Sequence, residues 1–285
     1  MRPLLIIGER LNTTRESVSA MVTWRDAAAV QQEAVRQVEA GADYIDVNAG
    51  TFVADEPECL RWLVETVQRA VPSVPLCIDS PNPEAIRAAL AAHRGKAIVN
   101  SISGEKARFE RVLPLVLEHR AAVVVLCLDD AGLPATPADA AAKGSRLVQS
   151  LLKAGVHPGD IYVDPLVRPV GTDLSAGTAA LEALRRLREK FPGVHFICGA
   201  SNVSFGLPQR SLLNRAFLVA AMAAGLDAAI LDPLDRPLLA AVLAAEAVLG
   251  QDPHCSRYLK AYRAGKLGGP AREPGREPGR GPARA

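Results

Sequence analysis

Eight short runs rich in Val, Ile, Leu and Ala recur along this 285-residue chain, with stretches of helical spacing between them. The runs are LLIIGERLN from Leu4, ADYIDVNAG from Ala42, PLCIDS from Pro75 and AIVNSIS from Ala97. AAVVVLCLD from Ala121, DIYVDPLV from Asp160, HFICGASN from His195 and DAAILDP from Asp227 complete the set. Most are continuously apolar instead of alternating, the pattern of a parallel strand covered on both faces. Eight strand–helix units of about 30 residues each predict a closed (β/α)8 TIM barrel, which needs about 250 residues. The structural rival, a doubly wound open sheet, ordinarily has fewer strands. The first βα turn here also lacks the G-x-G-x-x-G phosphate loop of that fold.

The segments between the runs carry their own start and stop signals. Phe109, Val112, Leu113, Val116 and Leu117 share one helical face. Asn82 followed by Pro83 predicts an N-cap and first turn, with the helix ending near His93. Pro208 is placed to open a helix stopping at Gly225, and Asp235 to cap one stopping at Gly250. Gly41, Gly155 and Gly225 precede the next strand, where a left-handed cap closes a helix.

Residues 1–267 are expected to form the barrel and 268–285 a disordered tail. The tail repeats R-E-P-G and holds no large apolar side chain, so nothing offsets the entropy cost of ordering it. Its four arginines against two glutamates supply the whole formal charge of +2. The remainder is therefore neutral, without the basic surplus expected of a nucleic-acid binder. The five cysteines include no C-x-x-C pair and the five histidines no H-x-x-x-H pair, so no bound metal is expected. Cys77, Cys127 and Cys198 read as small buried hydrophobes. No run approaches the length of a membrane span, the N-terminal apolar stretch is short for a signal peptide, and a reducing cytoplasm is the expected compartment.

In a (β/α)8 barrel the working face lies at the C-terminal ends of the strands. Those ends carry Glu9 and Asn12, Asp46 and Asn48, Asp79, Asn100 and Ser101, Asp129 and Asp130, Asp164, Ser201 and Asn202, and Asp232. Asp, Asn and Ser are common at such junctions as helix caps, and Asp129 and Asp130, leading into AGLPATP, read that way. Asp46, Asp79, Asn100, Asp164 and Asn202 follow apolar strand residues and are expected to point into the barrel mouth. Such a ring offers acceptors and amides but no His, Cys or Lys nucleophile. Paired carboxylates leave sugar hydrolysis open, but a flat heterocycle rich in N–H and NH2 groups fits better, because a carboxylate accepts two bonds from its edge.

GERLN, GADYIDVNAG, CIDS, IVNSISGE, VDPLV and CGASNVSFGLP occur in this order at the strand ends. Together they resemble the pterin-binding barrels of the methyltetrahydrofolate:corrinoid/iron–sulfur protein methyltransferases of the acetyl-CoA pathway, and the folate module of cobalamin-dependent methionine synthase. The resemblance implies transfer of the N5-methyl group of 5-methyltetrahydrofolate to Co(I) of a corrinoid protein partner, by a homodimer. It implies that Asp79, Asn100 and Asp164 hold the nitrogen edge of the pterin and that Gly199 and Ser201 line its face. Asn202 corresponds to the asparagine that hydrogen-bonds N5. Gln209 and Arg210 are placed to meet the folate tail or the partner, Arg210 having a solvated helix position as its plain alternative. Asn12, Asp46 and Asn48 take supporting places at the mouth. The N-x-T-P-D-S-F and Ser-Arg-Lys segments of dihydropteroate synthases are missing, and so is a D-x-H-x-x-G corrinoid motif, so the corrinoid is expected on another protein.

Overall fold

The computed structural model describes residues 3–267, so the expected disorder of 268–285 lies outside the described residues. The chain opens with β1 (Leu5–Asn12), α1 (Glu16–Thr23), α2 (Ala27–Ala40), β2 (Tyr44–Asn48) and α3 (Glu56–Ala70). β3 (Leu76–Asp79), α4 (Pro83–Ala92), β4 (Ile98–Gly104), α5 (Lys106–Glu118) and β5 (Ala122–Asp129) follow. Next come α6 (Pro137–Lys153), β6 (Ile161–Asp164), α7 (Ala176–Lys190) and β7 (His195–Gly199). The described chain ends with α8 (Arg210–Ala223), β8 (Ala228–Leu231), α9 (Arg236–Val248) and α10 (Ser256–Arg263). The eight strands are parallel and pair in sequence order, β8 closing back on β1. This is the predicted (β/α)8 barrel.

Two apolar clusters follow from the period-two alternation of strand side chains. Outward residues such as Ile45, Ile78, Val99 and Val163 pack against the helices. Inward residues Ile7, Cys77, Ile98, Val124, Tyr162 and Ile197 fill the barrel and close its floor. The buried cysteines of β3, β5 and β7 thus serve as packing groups.

The capping signals hold locally. Asn82 accepts from the Glu84 amide, Asp235 accepts from the Leu238 amide, and Gly41, Gly155 and Gly225 adopt φ of 111°, 95° and 108°. Two expectations shift. α8 begins at Arg210, not at Pro208, because Gln209 turns into the left-handed region at φ 52° and the chain enters the helix only after it. On α5 the buried stripe runs through Val112, Leu115 and Val116, while Leu117 is 41% exposed. The helix is rotated from the expected face because β4 and β5, which it covers, meet it on the Leu115 side.

Gly144 lies inside α6, where glycine ordinarily costs about 1 kcal/mol relative to alanine. A Cβ there would sit 2.7 Å from Cys127 Sγ and 3.2 Å from Leu187 Cδ2, so the absent side chain lets α6 approach β5 and α7 closely. Gly144→Ala is expected to lower stability by about 1–3 kcal/mol despite its better helix propensity, from overpacking. The urea midpoint measures this.

Candidate active site

The inward parity that builds the apolar floor continues upward into polar residues. Asp79 stands above Cys77, Asn100 above Ile98, Asp164 above Tyr162 and Gly199 above Ile197, while Asp46 and Asn48 follow Tyr44 on β2. Strand register sets them side by side. Asn48 pairs with Asp79, Asp79 with Asn100, and Leu126 with Asp164. A cavity of about 340 Å³ opens there, lined by Asp79, Asn100, Ser101, Arg108 and Leu126 among others. Of the expected residues, Asp164 and Asn202 do not line this cavity: Asp164 lies one strand beyond Leu126, and the β7 turn carrying Asn202 one strand further round the rim.

Each of these groups is held from below or beside. The Asn48 amide donates to Asp79 Oδ2 at 2.9 Å, and its own carbonyl accepts from the Gly50 amide at 2.9 Å. Asp46 is 3% exposed, with the Cys77 thiol and Asn100 beside its carboxyl, and its Oδ1 has no protein hydrogen-bond partner. Asp164 accepts from the Leu166 amide at 2.7 Å, leaving acceptor capacity for a ligand. At Gly199 a Cβ would lie 3.1 Å from Asn202 Nδ2, so the asparagine amide folds over bare backbone. Asn202 itself opens the short 3-10 turn Asn202–Ser204 and is exposed.

Other expected residues do local work. Arg210 donates from Nη2 to the Ser201 carbonyl at 2.8 Å and from Nε to Ser204 Oγ at 3.1 Å, bracing the turn that carries Asn202. Gln209 is an exposed helix-entry residue beside it. Asn12 accepts from the amide and hydroxyl of Thr14, at 3.0 and 2.7 Å, and so shapes its own loop. Asp129 and Asp130 are turn and capping groups, as expected: Asp129 accepts from the Ala131 amide and Asp130 from the Lys106 amide. A larger hollow of about 500 Å³ between α5 and α6 contains Lys143 and Arg146, both paired with Asp129, and stands outside the barrel mouth.

Arg108 is absent from the residues expected at the site. From the first turn of α5 it donates to the carbonyls of Ser80, Pro81 and Ser101, tying the loops after β3 and β4 together beside Asp79. Nothing in the segment GEKARFER marks it out from its charged neighbours; only the crossing of the two loops does. Glu9, named above at the end of β1 but given no site role, faces the mouth beside the Ser201 side chain.

The apolar floor makes this ring electrostatically unusual. Burial pushes Asp164 up to about 7, against the bond from the Leu166 amide. Burial likewise lifts Asp79 to about 6, while the Asn48 amide and the Arg108 charge pull it down. Asp46 lies well above the ordinary carboxylate range, through burial and the neighbouring Asp79. Three desolvated carboxyls beside one tethered guanidinium suit a ligand that brings several N–H donors in a flat edge.

The sequence profile of the pterin binding enzymes matches residues 8–232. The chain belongs to that family. It is 38% identical over 267 residues to the methylcorrinoid:tetrahydrofolate methyltransferase of Eubacterium limosum, covering 93% of this chain and 98% of that one. It is 30% identical to methionine synthase of Mycobacterium tuberculosis over 80% of its own length but only 20% of the larger enzyme. Among solved structures, dihydropteroate synthase from Xanthomonas albilineans, in complex with 7,8-dihydropteroate, superposes with a TM-score of 0.69. That match covers 87% of this chain and 94% of the other at 24% identity, a likeness of fold alone.

The raised carboxyl of Asp164 fixes the sign of a pH effect. Its native value near 7 exceeds the ordinary 3.8, so the native state holds an extra proton between those limits. The associated stability is complete below pH 3.8 and lost as pH rises through 7. Asp164→Asn is expected to be more stable than wild type by about 1–2 kcal/mol at pH 8, with little difference at pH 4, while binding pterin more weakly. Urea titrations at the two pH values and a pterin titration measure both effects.

Proposed function

We propose that this chain transfers a methyl group between N5 of methyltetrahydrofolate and the cobalt of a corrinoid carried by a separate protein. The observation that carries this reading is the crown of half-buried Asp79 and Asn100 and buried Asp164 on an apolar floor, with Asn202 folded over Gly199 at its rim. The nearly full-length likeness to a methylcorrinoid:tetrahydrofolate methyltransferase supports it. Asp79 and Asp164 accept from the N–H groups of the pteridine edge, and binding such donors draws both toward the ionised form. Asn100, which can donate as well as accept, completes the edge. Gly199 and Ser201 leave room for the ring face. Asn48, Asp46 and Arg108 set the position and charge of the carboxylates.

The reaction needs no protein nucleophile, because Co(I) attacks the methyl carbon directly. The difficulty lies at nitrogen. A neutral tertiary amine leaves as an anion unless charge at N5 is compensated while the C–N bond breaks. Asn202 hydrogen-bonds to N5 and stabilises that change, but an amide is not an acid at physiological pH. The name of the Eubacterium limosum relative puts the methyl group on the corrinoid first. The same groups serve both directions, since forward and reverse transfer pass through one transition state.

Exposed apolar side chains stand on four loops around the mouth: Val53, Leu133, Leu174 and Phe205, from 60% to 98% exposed. This rim is where a corrinoid protein docks to bring cobalt within reach of the methyl group.

Mixing the protein with methyltetrahydrofolate and a reduced corrinoid protein, and following the cobalt spectrum, tests the reading; pterin binding without spectral change would defeat it. Asn202→Ala is expected to slow transfer by about a hundredfold to a thousandfold. Leu174→Asp is expected to slow transfer to the corrinoid protein by about tenfold, a loss of about 1.4 kcal/mol at the docking surface, while transfer to free reduced cobalamin is unchanged.

A further inference from the structure

Asp79 and Asp164 hold protons toward neutrality in the free site, but in the proposed complex they accept from the pterin N–H edge as anions. Neither is then left to supply the proton at N5, and one acidic group near the Asn202 turn has no role in holding the ring. Glu9 lies on the inward parity of β1, two residues above Ile7 of the barrel floor. Between Gly8 and Leu11 the β1–β2 register shifts, so that Glu9 and Arg10 together oppose the single residue Asp46. A bulge of this kind re-aims the side chains it carries. Arg10 is thrown outward, where it meets Glu33 on α2 and reaches Asp232 at 2.7 Å. Glu9 is left facing the mouth with 22% of its side-chain surface exposed. The Ser201 side chain lies beside it, and the next residue in the chain is Asn202.

The groups around Glu9 come from four elements. Arg15, ahead of α1, approaches its carboxylate only to 3.8 Å, and Asp232 stands at the end of β8. Arg210 faces it from the start of α8 and Asp46 from β2. Burial raises its pKa, the Arg15 charge opposes this, Asp232 reinforces it, and Arg210 and Ser201 pull it down. Of the other carboxylates in reach, Asp232 is paired with Arg10 and accepts from the Leu234 amide, and Asp46 is buried beneath the mouth at 3% exposure. Glu9 is thus a carboxyl close to the Asn202 turn that has no tight cationic partner.

We propose that Glu9 is the acid that exchanges the proton at N5, by way of the Ser201 hydroxyl beside it. This deepens the methyl-transfer reading and rests on it. As Co(I) donates its electron pair to the methyl carbon, the C–N5 bond breaks and its pair stays on nitrogen. The proton of the Glu9 carboxyl passes to that pair, leaving N5–H, a methylcobalt bond and a Glu9 carboxylate. In the reverse direction the carboxylate takes the proton from N5–H as nitrogen attacks the methyl group on cobalt.

The test is Glu9→Gln, which keeps the shape and removes the acid, with Glu9→Asp as the variant that retains one. Single-turnover transfer from methyltetrahydrofolate to a reduced corrinoid protein is followed from pH 5.5 to 8.5, and folate binding is titrated in parallel. Glu9→Gln is expected to bind folate within about threefold of wild type while transfer falls about a hundredfold or more. Its rate should also lose the wild-type decline toward high pH. Glu9→Asp should regain at least about tenfold of the lost rate and restore a decline toward high pH, with its midpoint displaced from that of wild type because a different carboxyl now titrates. A Glu9→Gln protein that keeps the wild-type pH profile, whether its rate is normal or uniformly lowered together with binding, would overturn the inference, because the proton would then come from solvent. Should that variant fail to fold, a Glu9→Asp profile that does not move from that of wild type overturns it equally. Wild type that binds folate yet never methylates the corrinoid would instead defeat the methyl-transfer reading, and this inference with it.

Discussion

Closure of the eight strands into a filled barrel is the constraint on which the rest depends. Once β8 pairs with β1, alternate side chains of every strand must share the interior, and Ile7, Cys77, Ile98, Val124, Tyr162 and Ile197 fill it as a dry plug. The next inward step on the strands must then stand on that plug at the edge of solvent. Asp79, Asn100 and Asp164 occupy this step, so their carboxyls and amide are desolvated from beneath and open only upward. Pairing of neighbouring strands holds them in lateral register without any further device.

That position carries an energetic tension. A carboxylate on an apolar floor is less stable than one in water, which is why Asp164 and Asp79 hold their protons toward neutrality. The cost to stability and the binding role proposed for them have the same origin: an acceptor that water cannot fully satisfy is open to a ligand's N–H edge. The partial supports, Asn48 on Asp79 and the Leu166 amide on Asp164, orient the groups without neutralising them. Arg108 contributes a nearby guanidinium, but spends its donors on three backbone carbonyls, so it stiffens the loops without forming an ion pair with Asp79.

The two sides of the mouth differ in character. The β2–β4 side, with Asp79, Asn100 and Arg108, is a shaped cavity suited to recognition. The β7–β8–β1 side brings Asn202, Ser201, Glu9, Asp232 and Arg210 near one another, with Arg210 donating to the Ser201 carbonyl. A methyl-bearing nitrogen would lie toward the second side when the ring edge is held by the first. Similar barrels in dihydropteroate synthases show that the fold tolerates other chemistry. The chemistry is therefore written in the loop residues and not in the barrel.

Continuous apolar runs, the caps at Asn82 and Asp235 and the left-handed glycines determined the strand count and order from the sequence alone, because each is a local signal with one geometric meaning. Asp79, Asn100 and Asp164 were legible for the same reason: an acid or amide ending an apolar strand has few places to go. Tertiary structure decided the rest. Arg108 matters through two loops distant in sequence, Asn12 turns out to serve its own loop, and Arg210 is drawn into bracing the Asn202 turn. The aim of Glu9 depends on a bulge that exists only once β1 is paired with β2. Residue type and spacing report what a segment does to itself; which side chains share one hollow is settled only when separate strands are brought into register.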